Sequence, residues 1–482
     1  MCVLFCPGQF IQTVCSANSI VAFRQLLLIF EIKNTMGAFH AYDIRGVYGK
    51  DFNAEDVYRM GFFLPSVLGA KRWLVGRDVR DSSPEIHRQL LKGLTDAGCE
   101  VSDAGLCTTP MVYFGTAKFG FEASVMITAS HNPAEYNGLK ISVANAIPVG
   151  YDNGLNMLEQ KIKEVPAPSG TPGNVISFNF LKEYVAFMLP YKKDISNLKI
   201  VMDCSNGMSS IMVKDIYGSH PIYLFDEPDG RFPNHEPNPL DMKNIVQLQQ
   251  KVQETGADLG VIFDGDADRV MFTDELGTFI PPDLLIGLLG HYFLEEKGLK
   301  GKVIQDIRTS KSVAEYLVPM GAEMKIWRVG RAYAANMLRE IDGIYGGELA
   351  GHYYFKDFYY SDSGMLASIL IINLFAQFKR EGLSASAVVG RIRKYENSGE
   401  INFRIAEKQK AMDAVKNHFE SEASPTLFLD FDGYRVEFPD WWYNIRPSNT
   451  EPFLRLLVEA KTTALLNEKV NKIREILATF QS

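Results

Sequence analysis

Apolar and polar stretches alternate in a regular order along most of the chain. Five short apolar runs have the length of buried strands, and they lie at residues 73–76, 123–128, 199–203, 259–263 and 302–306. Residues 83–97 open with Ser-Pro, a helix start signal, and residues 178–190 also have the pattern of a helix. Strands that alternate with helices predict βαβ units, so we expect mixed, largely parallel sheets.

The last part of the chain follows another order. Residues 434–438, 441–445 and 453–460 are expected strands with loops between them, and a helix then runs to the C-terminus. Consecutive strands joined by loops are typical of antiparallel pairing. The sequence therefore predicts three α/β domains with mixed, largely parallel sheets plus a smaller α+β C-terminal domain.

Breaks in the pattern indicate the domain boundaries. Polar turns at residues 297–302 and 395–400 separate units, whereas the Pro-rich loop at residues 166–173 lies inside the first one. At about 150 residues per domain, 482 residues accommodate three or four domains. After an N-terminal segment, the predicted domains are residues 36–190, 191–298, 299–397 and 398–482.

The N-terminal segment, residues 1–35, differs in texture from the rest. Its apolar stretch at residues 19–32 is interrupted by Arg24 and is too short to span a membrane. No basic region precedes it, which makes it a poor secretory signal. Met36 begins a stretch that reads as folded protein, so we expect residues 1–35 to be a dispensable leader or an extended start.

Charge and cysteine content exclude several classes of function. The formal net charge is −8 and no run of Lys or Arg occurs, which argues against nucleic acid or a membrane surface as partner. Six scattered cysteines are too few for a disulfide framework, so we expect reduced thiols in a cytoplasmic protein. We also expect the protein to be a monomer or a dimer. An acidic protein can still bind a phosphorylated small molecule where its cationic groups converge.

The first candidate site is the sequence TASHNP at residues 128–133, directly after an expected strand. Ser130 at the end of that strand, with His131 beside it, can present its oxygen to a cleft. Lys140 can reach back to the same place as a cation or proton carrier. On its own, the motif also fits a helix cap followed by an Asn-Pro turn.

The second candidate is DGDADR at residues 264–269, again after an apolar strand. Three carboxylates at alternate positions repel one another unless a divalent cation lies among them, and oxygen ligands suit Mg²⁺ or Ca²⁺. An EF-hand is excluded because Arg269 stands where that loop requires Gly. An aspartyl-nucleophile phosphatase loop has Thr or Val where Asp268 stands. A solvated acidic turn is the non-functional alternative.

Three further stretches offer polar groups to a ligand. GGELAGH at residues 346–352 presents Glu348 and His352 from a Gly-rich loop, although a purely structural turn has the same pattern. AYDIRG at residues 41–46 adds Arg45 as a phosphate ligand and Tyr42 as a neighbour. RPSNTEP at residues 446–452 forms a compact anion cradle, unless it is an ordinary β-connection. The candidates in this last loop are Arg446, Ser448, Asn449 and Thr450.

Together, and in this order, these loops resemble the α-D-phosphohexomutase family, most closely its phosphomannomutase/phosphoglucomutase branch, from about residue 37 to the C-terminus. The resemblance implies four domains around a central cleft, with one motif from each. It implies an intramolecular phosphotransferase that interconverts hexose 1-phosphate and hexose 6-phosphate, with mannose and/or glucose as the sugar. The implied cofactors are one Mg²⁺ per site and hexose 1,6-bisphosphate as activator.

The resemblance also implies a role for each motif. Ser130 carries the phosphoryl group and, with its phosphate, binds the metal beside Asp264, Asp266 and Asp268. The residues that assist phosphoryl transfer are Arg45, His131, Lys140 and Arg269. The residues that bind substrate are Tyr42, Arg308, Arg331, Glu348, His352, Arg446, Ser448, Asn449 and Thr450. Phosphoryl transfer needs charge neutralisation and in-line positioning, which a cation and basic side chains supply.

Three positions depart from the family pattern. Arg308 stands where the family often has Lys, and Arg331 in Val-Gly-Arg stands where it often has His. Ala350 replaces a frequent Ser. Two fixed guanidiniums preserve phosphate affinity, whereas a titratable His and one sugar-hydroxyl contact are removed.

Three alternatives stay open at this point. The substrate could be an amino- or N-acetyl-hexosamine phosphate, the enzyme could be an aspartyl phosphatase with Asp264 as nucleophile, or the protein could be a non-catalytic scaffold for divalent ions. Phosphate mapping bears on these alternatives, since only a mutase carries stable phosphate on Ser130.

Overall fold

Four β-sheets and their helices make up the structure of the chain. The computed structural model describes residues 37–168, 170–448 and 453–480. The predictions made for residues 1–35, Asn449 and Thr450 lie outside the described residues. The sheets are called sheet 1 to sheet 4 in chain order, and each is mixed or antiparallel.

Sheet 1 has seven strands. They are β1 (Ile44–Val47), β2 (Arg72–Arg77), β3 (Glu100–Leu106), β4 (Ala123–Ile127), β5 (Tyr136–Val143), β6 (Ile147–Pro148) and β7 (Val175–Ser177). The strand order is β1-β5-β4-β2-β3-β7, with β6 paired to β5. Strands β4, β2, β3 and β7 run parallel, and β1, β5 and β6 pair antiparallel. Its helices are α1 (Ala54–Leu68), α2 (Ser83–Asp96), α3 (Thr109–Lys118) and α4 (Leu155–Lys161).

Sheet 2 follows helix α5 (Leu181–Met188). Its strands are β8 (Ile200–Asp203), β9 (Ile222–Leu224), β10 (Leu259–Phe263), β11 (Val270–Thr273) and β12 (Phe279–Ile280), in the order β12-β11-β10-β8-β9. Helices α6 (Val213–Tyr217) and α7 (Val246–Thr255) connect the parallel strands β8, β9 and β10. Strand β11 returns antiparallel to β10.

Sheet 3 has the strands β13 (Gly301–Asp306), β14 (Ala322–Trp327), β15 (Tyr345–Gly347), β16 (Tyr353–Phe355) and β17 (Ser361–Asp362). Their order is β14-β13-β15-β16-β17, with β13 parallel to β14 and β15. The helices of this part are α8 (Pro282–Gly290), α9 (Lys311–Leu317), α10 (Arg331–Glu340), α11 (Gly364–Arg380) and α12 (Ala385–Ile392).

Sheet 4 is antiparallel throughout. Its strands are β18 (Glu396–Asn397), β19 (Ile401–Arg404), β20 (Leu427–Leu429), β21 (Tyr434–Glu437), β22 (Trp441–Pro447) and β23 (Phe453–Ala460). Helices α13 (Lys408–Glu422) and α14 (Thr463–Ala478) cover it. We call sheets 1 to 3 with their helices the body, and sheet 4 with α13 and α14 the C-terminal unit.

The apolar runs of the sequence became strands because their side chains enter hydrophobic cores. All five residues of β4 and of β10 are buried. One continuous core extends through the body and includes Leu74 of β2, Met202 of β8 and Leu285 of α8. The C-terminal unit has a separate core around Trp441.

The predicted fold class is confirmed, with one difference in detail. Sheets 1 to 3 are mixed, but hairpins such as β10–β11 and β15–β16 give them more antiparallel pairs than the sequence suggested. The polar break at residues 395–400 contains the short strand β18, because its backbone pairs with β23. None of the helices in the described part of the chain has the length and apolar character needed to cross a membrane. Cys99, Cys107 and Cys204 are buried thiols outside any disulfide.

Candidate active site

Loops from all four sheets converge on one cavity of about 790 Å³. Strands β4, β10 and β13 have parallel neighbours, and polar residues follow their carboxyl ends, the usual place for a site in α/β sheets. Twelve predicted site residues line the cavity: Tyr42, Arg45, Ser130, His131, Lys140, Arg269, Arg308, Arg331, Glu348, His352, Arg446 and Ser448. Asp264, Asp266 and Asp268 are fully buried and meet the cavity through their bonds to Ser130 and Lys140.

Ser130 lies in the loop after β4, and its side chain faces the aspartate loop. Its backbone φ is +52°, in the left-handed region. Its Oγ donates to Asp264 Oδ2 at 2.8 Å, and His131 Nδ1 lies 3.4 Å from the same oxygen. Burial, with Arg269 and Arg45 nearby, holds the pKa of His131 well below its ordinary value. The ring is therefore neutral near pH 7 and can accept a proton.

The three aspartates after β10 form a compact acidic cluster. One oxygen from each lies within 4.8 Å of the others. Lys140 Nζ donates to Asp266 Oδ2 at 2.6 Å and to Asp268 Oδ2 at 2.5 Å. Burial, reinforced by Asp268 and Asp266, raises the pKa of Asp264 well above its ordinary value. Burial acts in the same direction on Asp268, but Lys140, His352 and Arg269 together outweigh it and lower that pKa well below its ordinary value.

This donor set fits a divalent metal ion. Asp266 Oδ1 and Asp268 Oδ1 are buried, and neither has a hydrogen-bond partner among the described residues, although His352 Nε2 lies 3.4 Å from Asp268 Oδ1. Buried carboxylate oxygens left without a partner cost free energy unless a cation meets them. Oxygen-only ligands at this spacing are typical of Mg²⁺ and similar hard cations.

Cationic side chains surround the same cavity and are held by neighbouring acidic or amide groups. Arg45 donates to Asp43 at 2.5 Å and to Asn132 Oδ1 at 2.7 Å. Arg269 Nε donates to His352 Nε2 at 3.1 Å and lies 3.8 Å from Asp264 Oδ2. Fixed guanidiniums of this kind can neutralise a phosphoryl group without reorganising.

The two arginines that depart from the family pattern are also anchored at the cavity wall. Arg308 donates to Asp306 through Nε at 3.1 Å and Nη2 at 2.8 Å. Arg331 Nε lies 3.3 Å from Asp362 Oδ1, and its guanidinium stands 4.1 Å from the ring centre of Tyr113. Both side chains therefore present fixed positive charge where the family pattern has Lys and His.

Glu348 follows β15 and accepts three hydrogen bonds. The donors are Gly330 N at 2.8 Å, His352 Nδ1 at 2.9 Å and the Tyr354 hydroxyl at 2.6 Å. Burial alone would raise its pKa, but these donors lower it to about 2, so the group is a carboxylate. A charged acceptor on the cavity wall suits sugar hydroxyls.

The C-terminal unit contributes Arg446 and Ser448. Arg446 Nη1 donates to Asp432 at 3.2 Å, while its buried Nε has no partner among the described residues. Burial and the nearby Arg308 lower the pKa of Arg446, while Asp432 and Asp306 act in the opposite direction. An anion is the ligand that this environment favours.

Several residues of the site were missed from the sequence. The Thr109 hydroxyl donates to Asp266, and Asp362 and Asp432 pair with the arginines described above. These side chains belong to no contiguous polar motif, so sequence reasoning had no local signal for them. Arg80 was also missed, but a signal for it exists, because it follows strand β2 in the same way as the predicted site residues follow their strands.

Family models match nearly the whole described chain. The domain I model of phosphoglucomutase/phosphomannomutase matches residues 36–167, and domain II matches residues 179–277. Domain III matches residues 281–395, and the C-terminal domain of the same family matches residues 400–476.

Curated relatives and a solved structure agree with these matches. A protein named phosphohexose mutases from Xanthomonas campestris pv. campestris (strain B100) is 37% identical over 451 residues, covering 92% of this chain and 99% of the relative. A phosphomannomutase from Escherichia coli (strain K12) is 36% identical over 445 residues, covering 89% and 96%. The crystal structure of a phosphoglucomutase/phosphomannomutase family protein from Burkholderia thailandensis superposes with a TM-score of 0.82 at 28% identity, covering 92% and 97%. These findings confirm the prediction of a phosphohexomutase, and the chain belongs to the phosphoglucomutase/phosphomannomutase family.

Proposed function

We propose that the protein interconverts hexose 1-phosphate and hexose 6-phosphate through a phosphoserine at Ser130 and a hexose 1,6-bisphosphate intermediate. The observation that carries the proposal is the hydrogen bond from Ser130 to Asp264 at a cavity lined by cationic side chains. It joins a nucleophilic hydroxyl, a carboxylate cluster and fixed positive charge in one place. The cavity of about 790 Å³ has the size expected for a small-molecule site.

In the first half-reaction, phosphorylated Ser130 transfers its phosphoryl group to the unphosphorylated terminal hydroxyl of the sugar. The bond from Ser130 Oγ to phosphorus breaks, and a bond from the sugar oxygen to phosphorus forms. The proton of the sugar hydroxyl passes through neutral His131, next to Ser130 Oγ, to the serine oxygen, which leaves as a hydroxyl. Arg45, Arg269 and Lys140 offset the negative charge of the transferred group.

In the second half-reaction, the bisphosphate turns over in the cavity and its other phosphoryl group returns to Ser130. The Ser130 hydroxyl then attacks phosphorus, the bond from phosphorus to the sugar oxygen breaks, and the serine proton returns through His131 to the sugar oxygen, so the enzyme ends as it began. Added hexose 1,6-bisphosphate is the proposed activator, because it rephosphorylates Ser130 whenever the intermediate escapes.

Asp264, Asp266 and Asp268 are the proposed ligands of one Mg²⁺. When bound, the ion supplies positive charge to the phosphoryl oxygens of the serine. Lys140 bridges two of these carboxylates, and the hydroxyl of Thr109 donates to one of them. Those contacts hold the carboxylates together despite their mutual repulsion.

The remaining contacts are proposed to position the sugar. Arg446 and Ser448 would bind the non-reacting phosphate, and the predicted partners Asn449 and Thr450 belong to the same loop. Glu348 and His352 would read sugar hydroxyls, while Tyr42, Arg308 and Arg331 complete the wall. The Nε of Arg446, which has no partner within the described part of the chain, supports this assignment.

We expect both mannose and glucose phosphates to be substrates. The resemblance assigns Glu348 to the hydroxyls at C3 and C4, where the two sugars are identical. A sugar that binds in two opposite directions cannot keep a tight contact at C2 in both. A single hydroxyl contact is worth about 1–3 kcal/mol, so the ratio of kcat/KM for mannose 1-phosphate and glucose 1-phosphate should stay below about a thousandfold. A larger ratio, measured under identical activation, contradicts this prediction.

Two of the alternatives have less support from the geometry. In an aspartyl phosphatase Asp264 would be the nucleophile, but Ser130 Oγ and the Arg269 N–H already occupy its two oxygens. A passive ion-binding scaffold would not need a serine and a neutral histidine beside the carboxylates. A hexosamine phosphate mutase shares all of this chemistry and differs only in the group at C2, which a substrate panel tests directly.

Phosphate mapping by mass spectrometry tests the proposal. The protein is incubated with glucose 1,6-bisphosphate and Mg²⁺, digested, and searched for phosphopeptides. We expect phosphate on Ser130, and none there in Ser130→Ala. The matched control is Ser142→Ala, a buried serine of the neighbouring strand β5, which should keep the phosphate on Ser130. Wild-type protein without phosphate at Ser130 would refute the mechanism.

We further propose a cytoplasmic monomer or dimer divided at residues 36–190, 191–298, 299–397 and 398–482. The three buried thiols support a reducing compartment. Limited proteolysis and analytical ultracentrifugation test the boundaries and the oligomeric state.

A further inference from the structure

A buried arginine outside the predicted motifs holds the serine loop. Arg80 lies in the loop between β2 and α2, and none of its surface is exposed. Its guanidinium donates to four backbone carbonyls of one neighbouring segment. The acceptors are Ser130 O at 2.8 Å, Asn132 O at 2.7 Å, Pro133 O at 2.5 Å and Tyr136 O at 3.0 Å.

All five N–H groups of this guanidinium are used. The two N–H groups on each terminal nitrogen donate to two of the four carbonyls, and the Nε–H group donates to Asp78 Oδ2 at 3.1 Å. Asp78 is itself fixed, because its other oxygen accepts from the Ser83 hydroxyl at 2.5 Å and from the Arg80 N–H at 3.1 Å. A lysine has three N–H groups on a single atom and cannot reproduce this planar fork.

The loop needs such a support because its backbone is strained. The φ of +52° at Ser130 is one that residues with a side chain rarely adopt, and it persists only where surrounding contacts over-determine it. Arg80 holds the carbonyls of Ser130 and Asn132, one on each side of His131. The side chain of Asn132 in turn accepts from Arg45. One guanidinium therefore fixes the backbone of the serine and, through Asn132, the position of Arg45.

A segment of the neighbouring sheet closes the other side of Arg80. The ring of Phe232 lies 5.0 Å from the centre of the guanidinium. A Cβ added to Gly230 would come within 2.5 Å of Arg80 Cα, so only glycine allows this approach. Arg80 is therefore enclosed between the serine loop on one side and Gly230 and Phe232 on the other.

We infer that Arg80 is a positioning residue for phosphoryl transfer, which sets the orientation of Ser130 and Arg45 without touching the substrate. The inference rests on the proposed phosphoserine mechanism. Replacing Arg80 should therefore slow the chemical step while substrate binding by the C-terminal unit stays unchanged.

The test compares Arg80→Lys with a matched control, Arg59→Lys. Arg59 lies in α1, one of the helices that accompany sheet 1, and it is also buried. Its side chain donates to the backbone carbonyls of Ile162 and Glu164. It differs in having no contact with the serine loop. Both variants lose carbonyl hydrogen bonds, so any general loss of stability should affect both.

Three measurements are made on each protein: the single-turnover rate of Ser130 phosphorylation by glucose 1,6-bisphosphate, kcat and KM, and amide hydrogen exchange at residues 129–137. We expect Arg80→Lys to phosphorylate about 10- to 100-fold more slowly than wild type, since displacement by an ångström has effects of that size. KM should change less than about threefold. Exchange in the loop should accelerate in Arg80→Lys and not in Arg59→Lys. Equal phosphorylation rates in the two variants would overturn the inference.

Two further outcomes are distinguishable. If wild-type Ser130 takes no phosphate, the proposed function fails, and the exchange comparison still decides whether Arg80 positions the loop. If Arg80→Lys does not fold, Asp78→Asn replaces it, because that variant keeps the five donors of Arg80 but removes the charge and one of the two acceptor oxygens that orient them. We then expect phosphorylation about 3- to 10-fold slower than in Arg59→Lys, and an equal rate would overturn the inference.

Discussion

The body and the C-terminal unit differ in how their sheets are held together. One hydrophobic core is shared by sheets 1 to 3 and extends from Leu74 to Ile392, beside other cores that are each confined to one sheet. The C-terminal unit has its own core, around Phe419 and Trp441. Polar contacts join the two, such as those from Arg435 Nη1 to the carbonyls of Ile307 and Thr309 at 2.9 and 2.7 Å. Trp327 against Phe431 adds one aromatic contact.

The body and the C-terminal unit also have different proposed roles in the reaction. The proposed nucleophile Ser130, the carboxylates and the cations nearest to them all belong to the body, where a shared core holds separate sheets in register. The proposed grip on the non-reacting phosphate comes from the C-terminal unit. An interface made of hydrogen bonds can rearrange at lower cost than a continuous apolar core, so the grip can adapt to two orientations of the sugar while the reacting groups stay fixed.

Removing the hydroxyl of Ser130, which lies in the body, should have the largest effect on turnover. Ser130→Ala should lower kcat by about 10⁴-fold or more, because no other hydroxyl occupies its position. The measurement is a coupled assay for glucose 6-phosphate formation from glucose 1-phosphate. Ser142→Ala serves as control, and near-normal activity of Ser130→Ala would contradict the assignment.

The metal cluster should give the next largest effect. Asp266→Asn removes one charge from the buried cluster, so the Mg²⁺ concentration for half-maximal activity should rise by about 10- to 100-fold. Chelation should abolish activity, and added Mg²⁺ should restore it. The control is Asp357→Asn, an exposed carboxylate of the body. Full turnover in excess chelator would rule out the metal.

The C-terminal unit should respond in a different kinetic constant. Arg446→Met should raise KM by about 10- to 100-fold, because a charged hydrogen-bond donor to phosphate contributes about 1.5–3 kcal/mol, while kcat falls much less. Arg474→Met, an exposed arginine of α14, is the control. A large loss of kcat at unchanged KM would break the proposed division of work.

The smallest effect concerns the junction itself. Glu459 of β23 accepts from the Ser310 hydroxyl and from Trp442 Nε1, each at 2.8 Å. Burial, reinforced by Asp283, raises the pKa of Glu459 from its ordinary 4.5 to about 7. The folded state then binds the proton more tightly than the unfolded state, so this stability is complete below pH 4.5 and is lost as the pH rises through 7.

Urea unfolding monitored by tryptophan fluorescence should show this dependence. Between pH 5.5 and 7.5 the unfolding free energy should fall by about 2 kcal/mol in wild type relative to Glu459→Gln, which cannot titrate. The exposed Glu475→Gln should behave as wild type. The same pH slope in Glu459→Gln and wild type would show that Glu459 is ionised throughout.

Most of the fold and the main loops of the site could be predicted from local sequence. Each apolar run became a strand because its neighbours in the chain already have the pattern that a buried sheet requires, as β10 shows at residues 259–263. Four of the five predicted loops follow a strand, so their position at the edge of a sheet could be inferred, whereas residues 41–46 run into β1. The acidic cluster was predictable for the same reason, since its three carboxylates share one loop.

Tertiary structure alone decided which groups complete that outline. Arg80 is 50 residues from Ser130 in the chain, and Thr109 is 157 residues from Asp266. A single arginine or threonine has no periodicity to reveal its partner. The pairing of Lys140 with two aspartates, and the resulting opposite pKa shifts of Asp264 and Asp268, likewise depend on distances between loops. Sequence specifies such contacts only through the packing of whole sheets, because the energy of a buried polar group depends on what surrounds it in space.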